Sequence, residues 1–213
     1  MKRKLLIAVA VVAMMLTTAC EYTFKGTEKK EKASTIVDTS VVDVVTYEKL
    51  EDLSKHSDII VVGEYLDDGE PIMISNANGE SYHSGKMKGI LKISRVLQGE
   101  VSVGDEIAII QRYSIKEEDG VTYIEDKSGL TPMKKGDKWV CFLAYDDRDD
   151  VYWTVSSYLG RFHVPENKED LAQHLSAEEM GLYVKNDYNS MLYNQLVKAY
   201  DWGTEPETEK KMK

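Results

Sequence analysis

At 213 residues the chain has room for one domain and a linker, and it can bury a core without covalent staples. Its formal charge of −10, with no lysine and arginine stripe and no aromatic stacking platform, sets it against phosphate backbones, so nucleic acid is not an expected partner. Cys20 and Cys141 are its only cysteines, which leaves little scope for a disulfide framework.

The first element is an export signal. Met1-Lys-Arg-Lys4 is basic, residues 5–18 are apolar or small, and Leu16-Thr-Thr-Ala-Cys20 closes the run. The run falls short of the roughly 20 apolar residues that a spanning helix needs. The stretch up to Cys20 resembles the signal and lipobox of bacterial lipoproteins, although Thr17 stands three residues before the cysteine where leucine is commonest. That resemblance implies removal of residues 1–19 and attachment of diacylglycerol, with palmitate-class chains, to the Cys20 thiol. Two acyl chains anchor stably because each buried methylene contributes about 0.8 kcal/mol. The expected location is the extracytoplasmic face of the cell membrane. Glu21, rather than an aspartate, follows the cysteine and argues for inner-membrane retention in a cell with two membranes. Losing Lys2, Arg3 and Lys4 moves the charge from −10 to −13, so the lipid and not the protein surface is the expected membrane link.

Residues 20–35 hold almost no large apolar side chain after Phe24 and are expected to be a flexible tether. A single domain is expected over 36–202. Val41-Val-Asp-Val-Val45 suggests an edge strand, and Thr46 is placed to cap a helix over 47–56 that buries Leu50 and Leu53. The apolar run Asp58-Ile-Ile-Val-Val-Gly-Glu-Tyr-Leu66 suggests a central strand buried on both faces, and 72–75 a short one. Residues 88–110 then give a strand, a turn marked by Gly99 and Gly104-Asp105, and a second strand that runs on to Tyr113. Strand is preferred to helix over 88–98 because its residues are β-branched and glycines stand at 85, 89 and 99. Further strands are expected at 121–124, 138–145, 151–155 and 160–164. Asn167 and Ser176 look like caps of short helical turns, Gly181 is a stop, and a helix from Asp187 or Asn189 to about Trp202 would bury Leu192, Leu196, Ala199 and Tyr200 beside Met191. Residues 203–213 are expected to be a disordered tail.

This order predicts a mainly β fold with some α: a small antiparallel OB-like barrel or sandwich with an early and a C-terminal helix. Val96-Leu-Gln-Gly99, Gly104-Asp-Glu-Ile107 and Gly136-Asp-Lys-Trp-Val-Cys-Phe-Leu143 together resemble OB-like barrels, including the netrin-like module of the metalloproteinase inhibitors. The similarity covers about 58–164. Those inhibitors act through an amino-terminal disulfide-bonded cysteine that this chain lacks, so the resemblance implies the fold and not the activity.

Residues that could carry chemistry are few. The acidic turn Asp146-Asp-Arg-Asp-Asp150 offers oxygens for calcium, but it lacks alternating ligands and a closing glutamate and has Arg148 at its centre. His56, His83, His163 and His174 are scattered, without metal-ligand spacing, and no cofactor is expected. Cys141 lies in an apolar strand and reads as a buried small hydrophobe. Tyr145, Tyr152, Trp153 and Tyr158 gather round one hairpin, and Tyr183, Tyr188, Tyr193, Tyr200 and Trp202 near the C-terminus; packing is the main expectation, with an aromatic patch for an envelope protein or glycan as the alternative. Two functions remain open: a lipid-anchored binding or accessory module, and a membrane-tethered hydrolase using carboxylates in an unrecognised site.

Overall fold

A computed structural model describes residues 35–39, 45–67, 69–157 and 159–202. The strands are β1 (Thr35–Thr39), β2 (Ile59–Tyr65), β3 (Glu70–Ser75), β4 (Ser81–Gln98), β5 (Glu106–Gln111), β6 (Tyr113–Glu118), β7 (Val121–Asp126), β8 (Lys138–Asp146), β9 (Val151–Thr154) and β10 (Arg161–His163). The α-helices are α1 (Leu50–Lys55) and α2 (Asp187–Ala199).

Strands β2, β4, β5, β9 and β8 pair in that order, and β8 returns to β2, which closes a barrel. The seam between β5 and β9 is parallel, and the other barrel ladders are antiparallel. The fold is therefore a mainly β, OB-like barrel with a C-terminal helix, as its order of strands and turns leads one to expect.

Side-chain alternation divides the core in two. Ile59, Val61 and Tyr65 of β2, Leu91 and Ile93 of β4, and Trp139, Cys141 and Leu143 of β8 fill the barrel. Ile60, Val62, Val140 and Phe142 face outward, where Leu192, Tyr193, Leu196 and Val197 of α2 cover them together with Leu50 and Leu53 of α1. Strands β2 and β8 are thus apolar on both faces, because one face lines the barrel and the other carries helix.

Several expectations are corrected. Residues 41–44 of the expected edge strand lie outside the described residues, Val45 is 66% exposed, and the strand found is Thr35–Thr39, parallel to β7. Helix α1 is shorter than 47–56 and is not capped by Thr46; the backbone N–H of Leu50 donates to Gln195 Oε1 at 2.8 Å, while Gln195 Nε2 donates to the Glu48 carbonyl. Its cap comes from α2, far away in sequence. Helix α2 begins with an Asn186 cap that accepts from the Asn189 N–H at 2.9 Å, and it stops at Ala199 because Tyr200 is extended. Ala199 is exposed, and Tyr193 and Val197 take the buried places. Ser176 and Glu179 do cap one another reciprocally, but the segment forms turns, with one 3-10 turn at Ala172–His174. The expected tail, 203–213, lies outside the described residues.

The largest correction concerns β4. It starts at Ser81, ahead of the expected start at Lys88, and runs 18 residues through Gly85 and Gly89. Gly89 is needed because a Cβ there would stand 1.8 Å from Tyr65 Oη, so the bare backbone lets the Tyr65 ring lie across it. Gly85, at φ +76°, forms a bulge in the ladder to β3.

Candidate functional site

The length of β4 takes it beyond the barrel. Its C-terminal part pairs with β2 and β5, whereas residues 81–88 pair with β3 on the β2 side. On the other side β5 stops at Gln111. After Arg112 the chain starts β6, which pairs with β7 and not with β4, so the expected single strand 107–113 is broken there. Two arms leave the barrel side by side: the β3–β4 hairpin and the sheet β1–β7–β6.

Residues 81–83 of β4 and all of β6 each have a ladder partner on one edge, residues 84–86 form the bulge opposite β3, and among the described residues no ladder joins β4 to β6. Between them lies a cleft of about 620 Å³, with Tyr82, His83 and Ser84 on one side and Ile115, Lys116 and Tyr123 on the other. Its rims are apolar and open to solvent: Ile74 is 43% exposed, Tyr82 49% and Ile115 41%. The Gly85 N–H donates to His83 Nδ1 at 2.9 Å, which places the imidazole proton on Nε2. That Nε2 and the Ser84 hydroxyl are buried without a hydrogen-bond partner.

Charges in the cleft are paired along its length. Lys116 meets Glu118 at 2.7 Å and Lys127 meets Glu125 at 3.1 Å, all of them substantially exposed. Towards the barrel the balance changes. Lys86 Nζ stands 4.8 Å and Arg112 Cζ 5.5 Å from the Trp153 ring centroid, and Lys127 Nζ is 3.7 Å from where a Gly85 Cβ would be. Lys127 lines the cleft with Glu125, while Lys86 and Arg112 stand over Trp153 outside its lining.

The opposite face of the β6–β7 sheet borders a second cleft of about 600 Å³, lined by Val37, Ile124, Met133, His163 and Tyr183 among others. His163 packs edge-on to Trp139 with ring centroids 3.9 Å apart. Burial lowers its pKa, the nearby Arg161 lowers it further, and Asp137 acts the other way. Tyr183 Oη is buried without a partner, and burial raises its pKa to about 12.

Beneath both clefts a polar layer plugs the barrel. Arg161 faces inward beside Cys141 across the β10–β8 ladder, donates to Gln111 Oε1 at 2.9 Å and to the Thr131 carbonyl, and stacks on Trp139. Gln111 also donates to Tyr65 Oη at 2.8 Å and accepts from the Met133 N–H at 2.8 Å. Asp126, fully buried, accepts from the Ser128 N–H and hydroxyl and from the Gly129 N–H. Burial dominates here, raising the Asp126 pKa and lowering that of Arg161 to about 10.

The residues singled out by sequence do not converge. Cys20 lies outside the described residues, as does Tyr158. Cys141 is buried and its thiol is pushed up to about 12 by burial, so it supplies no thiolate at neutral pH. In the acidic turn Arg148 binds both oxygens of Asp146, at 2.9 and 2.7 Å, and Asp150 accepts from the Tyr145 hydroxyl at 2.8 Å. Among the described residues no group of three or more His, Cys, Asp or Glu is placed to hold a metal ion. The four histidines are dispersed: His56 bonds the Asp52 carbonyl, His83 lines one cleft, His163 the other, and His174 touches Gln173. Most of the aromatic residues pack, as with Tyr193 against Phe162 and Tyr200 against Trp202.

The clefts and the Arg161 layer were not anticipated from sequence. An arginine between apolar neighbours in Gly160-Arg-Phe-His-Val164 is the one local signal that an inward-facing charge exists. Compared with family models, curated proteins and solved structures, the chain gives no significant match.

Proposed function

We propose that this chain is a lipid-anchored binding or accessory module on the extracytoplasmic face of the cell membrane, with an envelope protein or glycan as its partner. The anchoring half rests on the sequence of Met1 to Cys20. The observation that carries the binding half is the cleft between β4 and β6, which is open, rimmed by exposed Ile74, Tyr82 and Ile115, and bordered by two strand edges without mutual pairing.

The other reading, a tethered hydrolase, calls for two carboxylates converging in a pocket with no competing partner. Glu118 and Glu125 in the cleft each pair with a lysine, which favours the module.

The test is made in intact cells. Wild-type chain is expected to incorporate a clickable palmitate analogue and to partition with detergent, and Cys20→Ser to do neither. A Cys20→Ser chain that still partitions with detergent sinks the anchor. Crosslinking followed by affinity capture is expected to return an envelope component, and capture of bare chain alone sinks the module.

A further inference from the structure

We propose that the cleft between the arms takes up an extended polypeptide segment by strand addition, and that a carboxylate on that segment is held at the barrel end by Lys86, Arg112 and Lys127. This proposal rests on the binding-module reading above and names its class of partner.

The argument begins with the backbone. An edge strand presents alternate N–H and C=O groups that want a ladder partner. Here two such edges flank one cleft: residues 81–83 of β4, whose other side is taken by β3 up to the bulge at 84–86, and β6, whose other side is taken by β7. An extended chain entering the cleft can form ladder bonds with the repeat of these edges, whereas the hydroxyls of a sugar do not follow that repeat and the backbone of a helix is already paired within itself. The side-chain lining suits the same occupant. Alternate residues of an added strand point to opposite faces, so one set meets Tyr82, Ile115 and Tyr123, and the other reaches solvent. His83 Nε2 and Ser84 Oγ, both buried without a partner, supply polar contacts at the bulge.

Charge decides the polarity of the occupant. Lys116 and Glu118 cancel at the open part, and Lys127 is matched by Glu125. Lys86 and Arg112 at the barrel end lie over Trp153; Lys86 feels Asp146 at a distance and Arg112 donates to the Ser157 hydroxyl at 3.4 Å, but among the described residues no salt bridge engages either. The Lys127 N–H donates to the Arg112 carbonyl, which ties β7 to this corner. A carboxylate, from an acidic side chain or a C-terminus, is the complementary group. A cationic segment is disfavoured there.

The test uses the full chain in detergent micelles. The probe is an equimolar mixture of acetylated octapeptides that alternate threonine with valine, leucine or tyrosine and end in a free carboxylate. Amide hydrogen exchange is expected to slow at least tenfold in both 81–86 and 113–118. The same peptides with alternate backbone nitrogens methylated are expected to leave exchange unchanged. Amidated peptides, or the Lys86→Gln and Arg112→Gln chains with the acid peptides, are expected to bind about tenfold more weakly. No slowing, slowing on one edge alone, or equal binding by methylated peptides overturns the proposal. A chain that shows the same protection without peptide, and dimerises in sedimentation, makes the occupant a second copy and also overturns it. Failure of the module is separable: photo-crosslinkers at Ile115 and at Val103, outside the cleft, are compared in cells. A partner captured from Val103 alone keeps the module and removes the cleft, and capture from neither removes both.

Discussion

The guanidinium carbon of Arg161 stands 4.2 Å from the centroid of the Trp139 ring, and both side chains are buried within the barrel. The pair closes the barrel end under the two clefts, and it exists because β10 covers only the first part of β8 and turns Arg161 inward beside Cys141. Arg161→Met removes the donors to Gln111 and Thr131 together with the stacking on Trp139. The expected cost is about 2–4 kcal/mol, from unsatisfied buried acceptors and a lost desolvated cation–π contact. Urea denaturation checks this: the midpoint falls while the slope is kept. Arg161→Lys recovers only part, because a lysine lacks the planar fork that spans two acceptors.

Stability is expected to fall in mild acid through His163. Its folded pKa lies below the free value of about 6.5, first through burial and then through Arg161, so the unfolded chain takes up the proton more readily. The contribution is complete above about pH 6.5 and is lost as pH drops towards the folded value, at up to about 1.4 kcal/mol per pH unit. Asp126 carries the opposite sign, since burial raises its pKa and favours the folded state at lower pH. The comparison is therefore made between wild type and His163→Phe, which keeps a ring against Trp139 and does not titrate. The difference in unfolding free energy between them should change across pH 5–7, and a constant difference would exclude the effect.

Gly89→Ala tests the close approach of backbone and ring. The added methyl meets Tyr65 Oη at 1.8 Å and Cζ at 2.3 Å, so the ring must move and its bond from Gln111 is lost. A cost of about 1–3 kcal/mol is expected from overpacking. Combined with Tyr65→Leu, the two changes should couple by about 0.5–3 kcal/mol, since one removes the obstacle that the other creates.

Cys141 should be silent to thiol reagents in the native state. In a Cys20→Ser chain it is the sole thiol, fully buried, with its pKa pushed up to about 12. Maleimide labelling at pH 8 is expected to run at least about a thousandfold slower than in urea, at a rate set by opening of the barrel. Rapid native labelling would contradict the placement of β8.

What could be read from the sequence followed from local pattern. Ile59 to Val62 and Val140 to Leu143 are continuous apolar runs, and both prove to be strands enclosed on two faces. Leu50 and Leu53 are buried as their spacing implied. The misses came from partners distant in sequence. Gln195 supplies the start of α1 from a position 145 residues away, so a search for a local cap settled on Thr46. The reason for a glycine at 89 also lies far away in sequence, in the space that Tyr65 takes. The cleft was hidden for the same reason: it depends on β6 leaving the barrel after Arg112 to pair with β7, while Ile107 to Tyr113 reads as one unbroken strand.

The pairing distances of the strands also set an order in time. The arms close locally: β3 and β4 meet across the residues between Ser75 and Ser81, and β6 and β7 across those between Glu118 and Val121. The barrel closes late, because β2 must find β8 through pairs such as Ile59 with Leu143. Local loops close at lower entropic cost than long ones, and folds rich in distant pairs are slow. During synthesis the β3–β4 and β6–β7 hairpins are therefore complete while Leu91 and Ile93 still wait for β8 to bury them, so a newly made chain carries its exposed strand edges before it owns a sealed interior.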